Sequence, residues 1–588
     1  MSHLHRREFL QLLGVAGIAS AFSACSSNQT LNAGSIYNAK PFGSVRLIHF
    51  TDCHAQLMPV YFREPSVNLG FGDAKGNLPH IVGEPLLRKL GVNSGTKLAH
   101  AFSHLSFVNG ANEFGKVGGF AHMKTLVDSL RADYADGDSL VLDGGDTWQG
   151  SGTSLWTRGK DMVGACNLLG VDVMTGHWEF TYEDSEVLEN IREFNGEFLA
   201  QNVKVKEDAL FDGAQVFDED TGHAFKPYTT KIMGGRRVVI IGQAFPYTPV
   251  ANPSRFIPDW SFGIRADDLQ ELVDDIHQNE KPDAVILLSH NGMDVDLKIG
   301  KVVTGINAIL GGHTHDGVPI PIVVDNAKGK TIVTNAGSNG KFVATLDLEF
   351  DSNGLVDFRY RLMPVFSRLL KADANMQAYI ENVRKPYQSV LNEELGMAGE
   401  LLYRRGNFNG TFDQIICDAQ RAVGNAEIAF SPGFRWGTTV LPNQNITMEH
   451  VLDQTCITYP ETYVVPMKGE QIKLILEDVA DNLFHPDPFY QQGGDMVRVG
   501  GMNYTCDPLA EAGKRISNMT LNNGDRMEAN REYKVAGWAT VGAKSEGPPI
   551  WDVVAEYLRA QSGPIMSGKL NTPQLVNGYN NPGYTNKV

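Results

Sequence analysis

The chain has 588 residues, 42% of them hydrophobic, and a formal net charge of −17. That length supports a large core and about two to four domains, and no apolar run after the first 25 residues is long enough to span a bilayer. The negative charge argues against nucleic acid as a partner, and an anionic substrate would need a locally positive site because the global field opposes it. From about residue 44, short β-branched runs alternate with polar loops and helical stretches. In chain order the predicted strands are "VRLIHF", "SLVLDGG", "VDVMTG", "RRVVIIGQA", "DAVILLSH", "INAILGGH" and "TIVTNAG". Segments such as "GGFAHMKTLVDSLRADYA" and "ADDLQELVDDIHQ" predict helices between them. This alternation predicts an α/β fold with covered sheet faces. The run "VATLDLEFDSNGLVDFRYRLMPV" predicts a hairpin with Asn353-Gly354 at its turn. Residues 40–365 then form the first domain, 366–395 a charged linker helix and 396–588 a second domain.

The stretch "HRREFLQLLGVAGIASAFSACSS" places Arg6 and Arg7 ahead of Phe9, Leu10 and a short apolar run. It resembles a twin-arginine export signal over residues 1–30, which implies a periplasmic protein exported folded. Ala19-Ser20-Ala21 fits a signal-peptidase site and a soluble product, while Cys25 followed by two serines fits a lipid anchor. Six cysteines are too few for a disulfide scaffold, and no CxxC spacing supports a zinc ribbon. With Cys25 removed, Cys53, Cys166, Cys417, Cys456 and Cys506 remain, an odd count that leaves at least one free thiol unless one pairs with another chain.

The polar residues fall at one kind of place. Asp52 and His54 follow "VRLIHFT", Asp146 follows "SLVLDGG", His177 follows "VDVMTG", His290 follows "DAVILLS", and His313 and His315 follow "INAILGG". Ligands of α/β sheets bind at the C-terminal ends of strands, so these seven residues are expected to converge. Asp52 and His54 are two apart, as are His313 and His315. In extended backbone each pair would point one way and chelate, with Cys53 turned into the core. Two carboxylates and five imidazoles without a thiolate suit Mn, Fe or Zn. Seven ligands are too many for one tetrahedral ion and suit two ions that share a bridge. Asp146, in the Gly-flanked "DGGDTWQG", is the expected bridge, and two ions about 3.5–4 Å apart would hold a hydroxide between them.

"FTDCHAQ", "DGGDTWQGS", "GHWEFTYE", "QNV", "SHNGMDVD" and "GGHTHDG" resemble the calcineurin-like metallophosphoesterases, specifically their 5′-nucleotidase branch. The resemblance covers nearly the whole mature chain, including "SPGFRWG" and "SEGPPIW" in the second domain. It implies an N-terminal sandwich of mixed β-sheets flanked by helices and a C-terminal α+β substrate domain. It also implies two manganese ions, one held by Asp52, His54, Asp146 and His315, the other by Asp146, His177, His290 and His313. Within the branch the chain is similar to the thiosulfohydrolases of periplasmic sulfur oxidation. That likeness implies action on a cysteine S-thiosulfonate carried by a SoxYZ-type protein, with release of sulfate; a monomer is expected. A periplasmic 5′-nucleotidase or phosphodiesterase is the alternative.

One stretch departs from the nucleotidase pattern. Where nucleotidases run Gly-Asn-His-Glu-Phe-Asp, this chain has "GHWEFT", with His177 at the Asn position and Trp178 at the catalytic His position. That His assists an alcohol leaving group. An ordinary thiol has a pKa of about 8.5 and a persulfide is more acidic, so a persulfide leaves with less help and Trp178 is free to wall the sulfur chain. Asp146, His177, Trp178 and Arg435 are therefore the expected catalytic set. Arg435 in "SPGFRWG" is the expected sulfonate binder, since guanidinium suits an oxyanion. Arg404, Arg405 and Asn407 in "YRRGNFNG", and Asn202 in "AQNV", are further candidates for substrate contact. Asp143 and Gln149 flank the bridge as outer partners.

Overall fold

The computed structural model describes residues 36–585, except 353, 543, 577 and 579. The twin-arginine segment, Cys25 and the turn residue Asn353 lie outside the described residues. The first domain contributes twelve strands to its two main sheets. They are β1 (Val45–Phe50), β2 (Ser139–Asp143), β3 (Val173–Met174), β4 (Glu197–Phe198), β5 (Tyr228–Met233), β6 (Arg236–Gln243), β7 (Ala284–Ser289), β8 (Ala308–Gly311), β9 (Ile322–Asn326), β10 (Gly329–Asn335), β11 (Phe342–Asp351) and β12 (Gly354–Pro364). One sheet runs β12-β11-β1-β2-β3-β4 and the other β9-β10-β8-β7-β6-β5.

Strand composition explains how the sheets stack. In β1, Val45 and Leu47 join one apolar cluster while Ile48 and Phe50 join another, because successive side chains point to opposite faces. The first cluster also takes Val238–Ile241 of β6 and Val285–Leu288 of β7, so it fills the space between the sheets. The second takes Phe120, Met123, Leu126 and Val127 of the helix Phe120–Arg131, which covers the outer face. Pairings from β1 through β4 are parallel, while β11 and β12 close the sheet antiparallel as the predicted hairpin. In the second sheet β6, β7, β8 and β10 run parallel, with β5 and β9 antiparallel at its two edges. The parallel strands point their C-terminal ends the same way, and those ends carry the site.

Helix Ala374–Arg384 and the short Gln388–Leu391 occupy the expected linker. Met376 and Ile380 of the longer helix pack into the first domain's outer core. The second domain holds β13 (Ile428–Ser431), β14 (Thr462–Lys468), β15 (Arg498–Gly500) and β16 (Glu532–Trp538), in the order β14-β16-β13-β15. Only β13 and β16 pair parallel, so this sheet has α+β character. Helix Thr411–Gly424 supplies Phe412, Ile415, Ile416 and Ala419 to its core. All five described cysteines are buried free thiols. Among the described residues no helix is long and apolar enough to cross a membrane.

Candidate metal centre

Asp52, Asp146, His177, His290, His313 and His315 sit just beyond the ends of β1, β2, β3, β7 and β8, with His54 two residues after Asp52. Their ligand atoms form two groups, Asp52, His54, Asp146 and His315, and Asp146, His177, His290 and His313, with the atoms of each group within 4.8 Å of one another. Asp146 belongs to both. Its Oδ2 lies 3.0 Å from His290 Nε2 and 3.1 Å from His177 Nδ1, and 3.7 Å from His54 Nε2. His315 Nε2 is 3.3 Å from Asp52 Oδ1.

The local backbone is not the extended one that the two-residue spacing suggested. Asp52, His54, Asp146, His313 and His315 have φ of 53°, 45°, 58°, 70° and 57°, the left-handed region that non-glycine residues rarely adopt. The expected paired chelation is therefore corrected. Asp52 and His54 serve one group, but the turn at 313–315 sends His313 and His315 to different groups. Such strained positions persist only where surrounding contacts fix them. The Asp52 carboxylate accepts from Thr51 Oγ1 at 2.6 Å and from the His313 N–H at 3.0 Å with each oxygen. The Glu179 carboxylate accepts the N–H groups of Asp146, Thr147, Trp148 and His177 at 3.1, 2.8, 3.1 and 2.8 Å. His290 directs Nδ1 to the Gly144 carbonyl at 2.6 Å, which turns Nε2 toward Asp146.

The electrostatics suit cations. Burial holds His54 down to about 4 and His313 and His315 well below their usual value, so these rings are neutral and keep a lone pair. Burial pushes Asp52 up to about 6. Burial would raise Asp146 too, but His177 and His290 outweigh it and hold the carboxyl well below its usual range. Burial would lower His290, yet Asp146 and Asp52 outweigh it and lift it to about 10. The cluster thus draws positive charge to itself. His54 Nδ1, His177 Nε2, His315 Nδ1 and both nitrogens of His313 have no hydrogen-bond partner within the protein. Buried orphan donors and acceptors are costly, and the Nε2 atoms of His54 and His315 lie 3.1 Å apart, within hydrogen-bond reach of each other. Each group joins the shared Asp146 carboxylate to buried imidazoles whose ligand atoms lie within 4.8 Å of one another, a donor set that suits divalent transition metals, so the residues present fit a dinuclear metal site.

A cavity of about 300 Å³ opens on this cluster, lined by Asp146, His177, Trp178, Phe245, His313, His315, Phe434, Arg435 and Trp436 among others. Its wall is aromatic. Phe245 stacks on His313 with centroids 4.0 Å apart, and Phe434 stacks on Trp436 at 4.0 Å. Trp178 meets Phe434 and Trp436 edge-on at 5.4 and 5.1 Å, and its backbone N–H donates to Asp146 Oδ1 at 2.7 Å. Arg435 enters from the second domain, with Nε 3.3 Å from Asp495 Oδ1 and Nη2 donating to the Gly494 carbonyl at 2.8 Å.

The other four sequence candidates do not line the cavity, and their polar atoms serve the protein instead. Arg404 donates to Asp413 at 2.7 Å, to the Pro432 carbonyl at 3.2 Å and to the Gln454 carbonyl. Arg405 donates to the carbonyls of Thr314 and His315 at 3.1 and 3.2 Å, supporting the ligand turn from behind. Asn407 donates to Asp495 at 3.0 Å, behind Arg435. Asn202 fixes Ala244 through its N–H and its carbonyl, both at 2.8 Å, and so places Phe245. In this structure these four residues make positioning contacts. Asp143 accepts from Gly145 N and Thr147 Oγ1, and Gln149 donates to the Cys456 carbonyl. Sequence reading missed Glu179, Phe245, Trp436 and Asp495. Glu179 had a signal, since it stands two residues after His177 in the same phrase.

A larger cavity of about 1170 Å³ adjoins the first and shares His313, Arg435, Asn482 and Gly493 with it. On its wall His80 Nε2 lies 3.1 Å from Asp294 Oδ2. Burial would lower His80, but Asp294 outweighs it and raises the pKa above its usual 6.5. Asp294 is held below its usual 3.8 despite burial. The His80 contribution to stability is complete below pH 6.5 and is lost as pH rises through the raised value. The Asp294 contribution is complete above pH 3.8 and is lost as pH falls through the lowered value. Thermal melts of His80→Gln against the parent should show a deficit of about 1–3 kcal/mol that is largest between those limits and shrinks on the alkaline side.

A two-domain α/β fold whose strand ends gather an Asp/His cluster for two cations defines a metal-dependent hydrolase. A family model described as the 5′-nucleotidase C-terminal domain matches residues 401–555. The solved structure of sulfate thiohydrolase SoxB from Thermus thermophilus, in complex with glycerol, is 36% identical with a TM-score of 0.83, covering 91% of this chain and 97% of that one. A 5′-nucleotidase precursor, also from Thermus thermophilus, shares the fold, with a TM-score of 0.71 and 21% identity over 91% of this chain and 99% of that one. The 5′-nucleotidase of Bos taurus is 24% identical over 68% of this chain and 72% of its own length. The trifunctional nucleotide phosphoesterase YfkN of Bacillus subtilis (strain 168) is 27% identical over 73% of this chain, which spans 31% of that longer protein. The chain belongs to the 5′-nucleotidase family of metal-dependent hydrolases.

Proposed function

We propose that this chain is a SoxB-type thiosulfohydrolase of the periplasm, exported by the twin-arginine route. Its substrate is a cysteine S-thiosulfonate on a SoxYZ-type carrier protein. The reaction is R–S–S–SO3⁻ + H2O → R–S–SH + SO4²⁻ + H⁺, in which the S–SO3 bond breaks and the carrier cysteine keeps a persulfide. The observation that carries this reading is the 36% identity to a sulfate thiohydrolase across 97% of its length. The position of Trp178 supports it.

Two divalent cations, manganese in this reading, would be held by the two Asp/His groups and would lower the pKa of water and neutralise charge on the sulfonate. The chain's own residues do the rest. Arg435 has Nε and one Nη2 N–H engaged by Asp495 and Gly494, which leaves the second Nη2 N–H and both N–H groups of Nη1 for sulfonate oxygens. Trp178, Phe245, Phe434 and Trp436 exclude water from the sulfur chain, and low dielectric strengthens the polar contacts that remain. Glu179 and the Trp178 N–H hold Asp146 in place. No imidazole stands at position 178 to protonate a leaving group, and a persulfide departs without one. Arg435→Met is expected to lower kcat/KM for sulfate release by about 10²-fold, the scale of one preorganised donor. Arg435→Lys should recover little of it, because an ammonium cannot keep both wall contacts and reach the substrate.

The curated relatives favour a nucleotidase as the second reading. Against it, Phe434 and Trp436 stack on each other at 4.0 Å and 16°, which leaves no slot between them for a base. Phe408 and Phe412 lie buried in the second domain's cores. The deciding experiment presents manganese-loaded protein with a carrier peptide ending in Cys–S–S–SO3⁻ and, separately, with AMP. Sulfate release without phosphate release is expected. Phosphate without sulfate would establish the nucleotidase.

A further inference from the structure

His313 has the least polar support of the seven ligands. His290 is oriented by the Gly144 carbonyl, whereas neither nitrogen of His313 has a hydrogen-bond partner within the protein. Metal-binding imidazoles ordinarily rely on such an outer partner to fix the ring. Packing holds His313 instead. Phe245 covers one face at 4.0 Å and 27°, and the backbone of Gly493, from the second domain, abuts the ring's edge. A Cβ at position 493 would sit 1.9 Å from His313 Nε2, and its three nearest atoms would all belong to that ring. The segment around Gly493 is tethered on both sides. The Phe489 carbonyl accepts from the Tyr247 hydroxyl, the Gly494 carbonyl from Arg435 at 2.8 Å, and the Asp495 N–H donates to the Gly433 carbonyl at 2.9 Å.

We propose that Gly493 is a positioning residue for His313. Its bare backbone blocks Nε2, leaves Nδ1 to the cluster of Asp146, His177 and His290, and makes occupancy of that one cation site depend on the placement of the second domain. Any side chain at 493 would drive the imidazole out of the cluster. This inference rests on the dinuclear centre and is independent of which substrate the enzyme takes.

Gly494 supplies an internal control. Gly493 and Gly494 have nearly equal left-handed φ, 77° and 75°, but a Cβ at 494 would meet nothing closer than the Gly433 carbonyl at 3.8 Å. Gly493→Ala and Gly494→Ala therefore carry the same backbone strain and differ in the contact with His313. The full chain, stripped of metal by a chelator, would be titrated with Mn²⁺ by calorimetry. Gly493→Ala should bind one ion as the parent does and the other about 10–100-fold more weakly, the range seen when support of a ligand is lost. Gly494→Ala should match the parent at both. Equal affinities in Gly493→Ala and the parent, or an equal loss in Gly494→Ala, would overturn the proposal. Should Gly493→Ala not fold, Tyr247→Phe decides: it removes only the tethering hydroxyl, and it should weaken the same single ion several-fold, while unchanged binding would refute the role.

Discussion

Asp146→Asn is expected to abolish measurable hydrolysis and to lower the bound metal below two ions per chain. The carboxylate is shared by both ligand groups. Asparagine removes its charge and replaces Oδ2, the atom nearest His177, His290 and His54, with a donor or a lone carbonyl. The loss should exceed the roughly 10²–10³-fold that one preorganised donor contributes, because both groups are damaged at once. The fold should survive. Position 146 has φ of 58°, a conformation that asparagine tolerates, and an amide oxygen can still accept the Trp178 N–H. Turnover assays with elemental analysis of the purified variant would check this. An active variant retaining two ions would remove Asp146 from the bridge.

Glu179→Ala is expected to be the most damaging substitution outside the ligand set. This buried carboxylate accepts four backbone N–H groups from the two loops that carry Asp146 and His177. Hydrogen bonds to a charged group contribute about 1.5–3 kcal/mol each, and orphaned buried donors cost more than the bond was worth. Alanine should therefore destabilise the first domain by several kcal/mol, of order 4 or more. Glu179→Gln keeps one acceptor oxygen and most of the shape. It should fold and bind metal about 10–100-fold more weakly, as expected when outer support is lost. Denaturant melts of the first variant and metal titrations of the second would check both statements. Parent-like stability in Glu179→Ala would mean that the loops are held by packing alone.

The seven ligands were legible in the sequence for a physical reason. Each apolar run is a buried strand, and the first acid or histidine past its end falls where parallel strands open onto a shared edge. Trp178 was legible because it breaks a familiar phrase. The hairpin of β11 and β12 and the α/β class followed from the same short-range pattern. The turns that aim the ligands were not legible. Left-handed φ at Asp52, His54, Asp146, His313 and His315 is imposed by contacts from elsewhere, such as Glu179 on the Asp146 loop and Arg405 behind His315. The fate of Arg404, Arg405, Asn407 and Asn202 was equally hidden. Whether a donor faces substrate or protein depends on partners far along the chain, as when Asn407 meets Asp495 or Asn202 meets Ala244. The sequence by itself determined which side chains could hold cations, since that depends on residue type and on strand ends a few positions away. Only the tertiary structure decided how they divide into two groups and which second-domain atoms, Arg435 and Gly493 among them, close over them, because those contacts join segments that no local propensity connects.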